Sequence, residues 1–152
     1  MSDFELSAMK IEDYDEVKAL WMTIKGFAIR SIDDSKEGVE RFLRRNPTTS
    51  VVARMDGKLV GAILCGHDGR RGCFYHVCVH ENYRRHGIGK AMVVYCMESL
   101  KAEKINKVSL IAFTKNDIGN AFWKGINWTK RDDLFYYDFG LNDANITAFI
   151  EE

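Results

Sequence analysis

The spacing of apolar residues predicts one strand and two helices in the first third of the chain. The stretch FELSAM alternates apolar and polar residues, as a short strand does. A helix that Gly26 can end is predicted next, because apolar side chains recur there every three or four residues: Ile11, Tyr14, Val17, Leu20, Trp21 and Ile24. In SKEGVERFLRRNP, three apolar residues share one helical face, and Asn46-Pro47 stops the helix.

Two hairpins are predicted in the middle of the chain. TSVVARM and KLVGAILCG flank Asp56-Gly57, a dipeptide that favours tight hairpin turns. A second hairpin turns through GHDGRRG and leads into the strand CFYHVCVH. These connections favour antiparallel pairing of neighbouring strands.

The second half alternates strands and helices. A helix is predicted from about Gly87 to Ala102, then a strand at NKVSLIAF and a helix at NDIGNAFWKGI. Because a helix joins the strands on either side of it, those two strands should pair in parallel. DLFYYDFGL predicts a last strand, and the tail NDANITAFIEE a short helix. The pattern therefore predicts one α/β (α+β) domain over residues 1–152, with a single mixed, mostly antiparallel central sheet and flanking helices.

Composition narrows the class of protein. The 152 residues are 46% hydrophobic, which is typical of a globular protein. Their formal net charge of zero disfavours a nucleic-acid partner, because nucleic-acid binders usually carry a basic excess. No apolar run is long enough to span a bilayer, and the start lacks the pattern of a signal peptide. We therefore expect a cytoplasmic protein without a membrane partner.

The four cysteines and four histidines are the candidate metal ligands in the sequence. The cysteines, which lie in apolar surroundings typical of reduced core residues, are Cys65, Cys73, Cys78 and Cys96. The histidines are His67, His76, His80 and His86. On a strand, His76 and Cys78 would share a face, but no third ligand is evident, so we expect no metal.

The stretch VCVHENYRRHGIGKAM changes from a strand to a basic loop and then to a helix start. Unpaired backbone N–H groups at a helix start attract anions, and Gly87 and Gly89 let a ligand approach the backbone. Arg84 and Arg85 can add bonds to phosphate oxygens. The alternative is a simple turn with solvated arginines. The stretch does not match a P-loop, which needs Ser or Thr where this chain has Ala91. It does not match a dinucleotide-binding fingerprint either, which needs a small residue where this chain has Met92.

This stretch resembles the acyl-CoA-binding signature of the GNAT superfamily of N-acetyltransferases. The pattern of Arg or Gln, two residues, Gly, one residue, and Gly or Ala reads here as RRHGIG from Arg84 to Gly89, after the expected Val77 and Val79. The later segment FTKNDIGNAFWKGINW looks like the family's next signature, and the element order agrees with its acyl-CoA N-acyltransferase fold from Phe4 to Leu141. CGHDGRRGCFYHVCVHENYRRHGIG further resembles a bacterial subgroup with a DG-containing hairpin turn.

The resemblance implies acetyl-CoA as co-substrate and a set of residues that hold it. Backbone groups of Val77 to Val79 would bind the pantetheine arm, the N–H groups from Arg85 through Lys90 the diphosphate, and Asn116 would contact the pantetheine. The implied CoA-binding residues are Val77, Cys78, Val79, Arg84, Arg85, His86, Gly87, Ile88, Gly89, Lys90 and Asn116.

Acetyl transfer also requires a polarised carbonyl, a neutral amine and a stabilised thiolate. A backbone N–H near Cys78 could polarise the carbonyl. Deprotonating the amine is harder than stabilising the thiolate, since the amine pKa of about 10.4 lies further from neutrality than the thiol pKa of about 8.5. His76 is the best single candidate for the base, because an imidazole can accept a proton near neutral pH. A structural histidine is its alternative, and a carboxylate such as Asp68 or Asp33 acting through water is the competing base.

The general acid departs from the family pattern. The family often has a tyrosine where this chain has Trp123, so Tyr136 or Tyr137 on the predicted last strand is the alternative acid. The family's usual glycine after that helix is Asn127, which tolerates a left-handed turn.

The acceptor is not specified by the sequence. Asp33, Asp34 and Glu37 could attract a cationic amine, although Asp34 or Ser35 could simply cap a helix. Arginines at 41, 44 and 45 could bind an acidic acceptor or be solvated. We therefore predict an acetyl-CoA-dependent N-acetyltransferase that acts on a primary amine of a small molecule or of a peptide or protein, with monomer and homodimer both open. A CoA-binding regulatory module without turnover and an aminoacyl-tRNA acetyltransferase are the alternatives.

Overall fold

A computed structural model describes residues 3–151. Met1, Ser2 and Glu152, which the predicted single domain includes, lie outside the described residues. The strands are β1 (Phe4–Ala8), β2 (Ala28–Arg30), β3 (Val51–Met55), β4 (Lys58–His67), β5 (Gly72–Val79), β6 (Val108–Ser109) and β7 (Thr147–Phe149). The helices are α1 (Tyr14–Trp21), α2 (Lys36–Arg45), α3 (Ile88–Ala102) and α4 (Asp117–Gly125).

A five-stranded sheet forms the centre, in the order β1-β3-β4-β5-β6. The first three pairings are antiparallel, and β5 pairs with β6 in parallel through Gly72 and Cys73 only. The tight turn is confirmed at Asp56-Gly57, where both residues have positive φ between the paired Met55 and Lys58. The predicted mixed, mostly antiparallel sheet with flanking helices is thus confirmed.

Helices cover both faces of this sheet. Along β4, Ala62 and Leu64 pack with side chains of α1 and α2, whereas Ile63 and Cys65 pack with side chains of α3. The alternation follows from the two-residue period of a strand. Since β4 is buried on both faces, it anchors the neighbouring β5, which carries most of the candidate site.

Of the two strands predicted in the second half, one is much shorter than expected and the other does not form. Of NKVSLIAF, only Val108 and Ser109 join the sheet, and DLFYYDFGL forms no strand with any described residue. Apolar alternation in these segments predicts an extended chain, but it contains no information about which edge the chain pairs with. Tyr136 and Tyr137 therefore do not lie on a sheet strand as predicted.

The predicted helix in the tail is also wrong. Thr147–Phe149 forms the strand β7, which pairs antiparallel with β2 in a separate two-stranded sheet. Each of these strands has three residues, and such a short run shows no detectable period in the sequence. No helix within residues 3–151 has the length and apolar character required to cross a membrane.

Candidate active site

The edge of β5 that faces β6 is largely open. After the pairs at Gly72 and Cys73, β6 makes no further pairing with β5 in residues 3–151. The main chain from Phe74 to Val79 therefore has backbone groups on this side without a neighbouring strand. A linear ligand with amide groups can hydrogen-bond to such an edge as an added strand does.

A β-bulge interrupts the other side of β5 in the same region. Ala62 pairs with Cys78 and Leu64 with Tyr75, so the single residue Ile63 faces two residues on β5. One of these two is His76, whose φ of 50° is rare for a residue with a side chain. Bulges and such backbone conformations are concentrated next to active sites, where they redirect a side chain.

The redirected His76 side chain forms a pair with Asp34. Its Nε2 atom lies 2.9 Å from Asp34 Oδ1, and the exposed fractions of the two side chains are 11% and 5%. A carboxylate oxygen can only accept a hydrogen bond, so Nε2 is the nitrogen that donates. Within residues 3–151, His76 Nδ1 has no hydrogen-bond partner. In the neutral ring it therefore carries the free lone pair.

Asp34 itself is held by the backbone around it. Its second carboxylate oxygen accepts a hydrogen bond from the Arg30 N–H at 2.7 Å, and its carbonyl accepts one from the Tyr14 hydroxyl at 2.6 Å. Burial raises the pKa of Tyr14, and the Asp34 charge raises it further. The tyrosine therefore remains a neutral donor, and Asp34 is fixed from three directions.

Aromatic rings enclose the histidine. The ring centroids of Trp21 and Phe27 lie 4.7 and 5.2 Å from that of His76. Trp21 is fully buried, and its Nε1 is the one buried side-chain nitrogen or oxygen in the described part of the chain that lacks a hydrogen-bond partner. The imidazole thus packs in largely apolar surroundings, and Asp34 is its one ionic contact within residues 3–151. These contacts restrict the rotation of the ring.

A second part of the site lies after β5, where a loop leads into α3. Ala91 makes the first helical hydrogen bond, to the Gly87 carbonyl at 3.1 Å, and no side chain among the described residues caps the helix. The backbone N–H groups of residues 85–90 donate to no acceptor within residues 3–151. Six free N–H groups at the positive end of a 15-residue helix make a site for an anion such as a phosphate.

The two glycines of this loop have different roles. Gly87 has a φ of 80° and open space around it, so its lack of a side chain serves the left-handed backbone. A Cβ on Gly89 would instead lie 3.2 Å from the Phe122 ring. Gly89 therefore allows α3 and α4 to pack closely.

The remaining residues of the loop are mostly exposed. Arg84 bends back, and its Nε donates to the Val79 carbonyl at 3.2 Å, which ties the loop to the end of β5. Arg85, His86 and Lys90 are exposed, whereas the Ile88 side chain is buried in the core, so only its backbone can face a ligand. Charged side chains thus surround the free N–H groups.

Within β5, the side chains of the Val77 to Val79 segment serve packing. Cys78 is buried, and burial raises the pKa of its thiol to about 12. Val77 and Val79 are half-buried against the core on the α3 side. Any contact of this segment with a ligand would therefore be made by its main chain.

Comparisons with known proteins identify this arrangement. The model of the acetyltransferase (GNAT) family matches residues 14–128, well over half of the chain. This chain belongs to the GNAT family of acetyltransferases. An acetyltransferase of Pectobacterium atrosepticum is 30% identical over 113 residues, which cover 74% of this chain and 79% of that protein.

Further comparisons agree with the assignment. An acetyltransferase of Sodalis glossinidius is 29% identical over 130 residues, which cover 86% of this chain and 90% of that protein. Among solved structures, the PaiA N-acetyltransferase from Thermoplasma acidophilum in complex with coenzyme A superposes with a TM-score of 0.73 at 16% identity, covering 97% of both chains. The chain is therefore an N-acetyltransferase with the GNAT fold.

In this acetyltransferase, the α4 region contributes an aromatic cluster. Trp123 packs against Phe74, Phe122 and Trp128 at centroid distances from 4.7 to 6.1 Å. Asn127 has a φ of 69°, the left-handed turn expected of it. Trp123 therefore contributes to the packing of α4 against β5.

Asn116 caps the start of α4, where its side-chain oxygen accepts a hydrogen bond from the Gly119 N–H at 3.1 Å. The oxygen of the side chain is thus engaged by the helix. The predicted contact with pantetheine would use the amide nitrogen of the same side chain.

The other candidate acids and bases form no hydrogen bond or ion pair with His76 within residues 3–151. Tyr136 and Tyr137 have exposed fractions of 66% and 86%, so solvent reaches both side chains. Asp68 closes its own hairpin turn, and hydrogen bonds from the Arg71 and Arg70 backbone N–H groups lower the pKa of its carboxyl.

The carboxylates near residue 35 also take separate positions. Ser35 is the helix cap of α2, since it accepts a hydrogen bond from the Gly38 N–H at 3.0 Å. Asp33 is bound to Asn145 and Glu37 is exposed, as are the arginines at 41, 44 and 45. Asp34, which the sequence offered as a cap or as an attractor of amines, is instead the partner of His76.

Metal ligands do not converge in the described part of the chain, where no three His, Cys, Asp or Glu side chains form a group. All four cysteines are free, and three of them are buried.

Proposed function

We propose that this enzyme transfers the acetyl group of acetyl-CoA to a primary amine of a small molecule or of a peptide or protein, by direct attack in a ternary complex. The observation that carries the proposal is the position of the His76–Asp34 pair at a bulge, next to the open edge of β5. This arrangement brings a proton acceptor and a backbone binding edge to the same strand. The four free cysteines support a reducing compartment, and we assign the enzyme to the cytoplasm.

The residues of this chain fit acetyl-CoA. The open β5 edge suits the amide-containing pantetheine, and the free N–H groups of residues 85–90 suit its diphosphate. Arg84 holds the loop in shape through Val79, while Arg85 and Lys90 add positive charge beside it. His86 and Asn116 flank the same surface in this proposal.

Acetyl-CoA supplies a thioester whose acetyl carbon bonds to the amine nitrogen as the carbon–sulfur bond breaks and the electron pair leaves with sulfur. His76 Nδ1 accepts the proton that the amine loses, either directly or through one water. Asp34 holds Nε2 in the donating form and stabilises the imidazolium that results. The Cys78 backbone N–H polarises the acetyl carbonyl, and solvent protonates the thiolate.

One experiment tests the proposal in two steps. Calorimetric titration with CoA should show saturable binding, and its absence would refute the proposed co-substrate. A panel of diamines, peptide N-termini and lysine-containing peptides is then assayed for acetyl-CoA-dependent thiol release. Turnover with any member identifies the acceptor class and supports the proposal.

A second candidate is a CoA-binding regulatory module without turnover. One observation favours it. Trp123 packs in the aromatic cluster at the position where the family often has a tyrosine that acts as general acid. Binding of CoA without turnover across the whole panel would favour this module over the enzyme.

A further inference from the structure

In the proposed reaction, the side chain of His76 becomes positively charged in a place that water barely reaches. Its exposed fraction is 11%, and the proton taken from the amine turns its ring into an imidazolium. Burying a cation costs free energy unless nearby groups compensate for the lost hydration. Asp34 compensates at Nε2, but this contact lies at one edge of the ring. The two faces of the ring need other partners.

Two aromatic rings lie against His76. The Phe27 ring is stacked on the imidazole, with an interplanar angle of 29° and a centroid distance of 5.2 Å. The Trp21 ring is tilted by 52°, with a centroid distance of 4.7 Å. The face of an aromatic ring is electronegative, and it attracts a cation that lies within about 6 Å of the ring centroid. Both rings are therefore close enough to stabilise an imidazolium.

Other titratable side chains on this side of β5 add no charge at neutral pH. Cys78 packs in the same cluster as Trp21, and Tyr75 packs edge-on against Phe42 of α2 with a centroid distance of 6.0 Å. Burial raises the pKa of the Cys78 thiol and of the Tyr75 hydroxyl to about 12, so both groups stay protonated and neutral. Within residues 3–151, the groups that compensate for the charge are thus Asp34 and the two rings.

The backbone holds Phe27 in this position from two sides. Its N–H donates to the Ile24 carbonyl at 3.2 Å, in the turn after α1, and its own carbonyl accepts from the Ile150 N–H at 2.8 Å. Ile150 directly follows β7, which pairs with β2. The tail of the chain therefore fixes the ring against the imidazole before any charge forms. A preorganised partner of this kind needs no reorganisation at the moment of proton transfer.

The two rings differ in their contribution to the core. Trp21 is fully buried among side chains of α1, α2 and β4, so its removal would disrupt the packing of these elements. Phe27 is only half-buried and packs at the margin of the same cluster. We propose that the face of the Phe27 ring stabilises the imidazolium of His76, a role that rests on the proposed function of His76 as base. Phe27 is thus a positioning residue, since it acts through His76.

Replacing Phe27 by mono-, di- and trifluorophenylalanine tests the proposal on the full chain. Fluorine withdraws electron density from the face of the ring and hardly changes its size, so kcat should fall stepwise along the series. The trifluoro variant should lose about five- to thirtyfold of kcat, the factor that corresponds to one cation–π contact, with an unchanged KM for acetyl-CoA. A constant kcat along the series would overturn the proposal.

The same substitutions at Phe42 form the matched control. Phe42 is also half-buried, but its ring packs against Tyr75 and not against His76. The Phe42 series should therefore keep its kcat. An equal stepwise loss at the two positions would assign the effect to general packing and would also overturn the proposal.

Nitrogen NMR of the His76 ring provides a readout that needs no turnover. At one fixed pH at which the ring is partly charged, its 15N shifts report the charged fraction, which should fall along the Phe27 series and stay constant along the Phe42 series. A charged fraction that is equal in all Phe27 variants would contradict the proposal even in an active enzyme. A falling fraction in a protein without turnover would support the role of Phe27 and refute only the proposed acetyl transfer.

Discussion

Nε2 of His76 lies 2.9 Å from Oδ1 of Asp34, although the two residues are 42 positions apart in the chain. The contact joins a strained bulge in β5 to the loop between β2 and α2. A histidine held in this way presents its other nitrogen, Nδ1, in a fixed direction. The pair therefore resembles, in its physical logic, other carboxylate–histidine pairs in which the acid sets the tautomer of the base.

We expect His76→Gln to lower kcat roughly a hundredfold to ten-thousandfold, the usual contribution of a general base. The CoA dissociation constant should change little, because the binding edge is formed by backbone. Steady-state thiol release and calorimetry measure the two quantities. His67→Gln, in the β4–β5 hairpin, is the matched control, and an equal loss in the control would argue against a specific role of His76.

Asp34→Asn should lower kcat at least about tenfold, because the amide cannot stabilise the imidazolium that forms on His76 during proton transfer. The amide oxygen can still accept from the Arg30 N–H, so the loop should keep its shape. Steady-state kcat and urea denaturation are measured on the same variant. A variant that loses stability but keeps its kcat would assign Asp34 a structural role only.

The sequence predicted the histidine of this pair but not its carboxylate. His76 was a candidate because of its position before Val77, which a local pattern reveals. Asp34 lies among Asp33, Ser35 and Glu37, and no local pattern distinguishes the buried carboxylate from the exposed ones. Only the folding of the loop onto β5 buries Asp34 and leaves Asp33 and Glu37 exposed.

Gly87→Ala should weaken CoA binding severalfold and lower the free energy of unfolding by about 1–2 kcal/mol, the cost of a left-handed residue with a side chain. Gly87→Asn should have a smaller effect on both quantities, since asparagine tolerates this conformation. Calorimetry with CoA and urea denaturation measure the effects. Equal losses in the two variants would show that backbone conformation is not the limiting property.

Stability should fall as the pH rises above about 9. Burial raises the pKa of the Cys78 thiol from 9.0 to about 12, so between these values the unfolded chain loses the proton and the folded chain keeps it. The free energy of unfolding therefore decreases with pH in this window, by about 1 kcal/mol for each pH unit. Urea denaturation in steps from about pH 8 should show a shallower decline for Cys78→Ala. Identical slopes would contradict this effect.

The sequence predicted the core elements of the fold better than its C-terminal part. Helix periodicity and the Asp56-Gly57 turn located the elements that bury a core, because burial imposes a period on the residues. The segment 133–141 has the same apolar alternation but remains outside the sheet, since alternation does not specify a partner. β7 pairs over three residues with β2, too few for a period.

Asn145→Ala should reduce kcat severalfold without altering CoA binding. Asn145 Oδ1 accepts from the Ile32 and Asp33 N–H groups at 2.9 and 3.1 Å, and its Nδ2 donates to Asp33 Oδ2 at 2.8 Å. These three bonds fix the loop that carries Asp34, so their loss should let the carboxylate move away from His76. Faster hydrogen exchange at Ile32 and Asp33 should accompany the loss of activity. Asn142→Ala, which removes only a local turn contact with the Ala144 and Asn145 N–H groups, should leave both unchanged; equal effects of the two variants would mean that the tail acts through general stability.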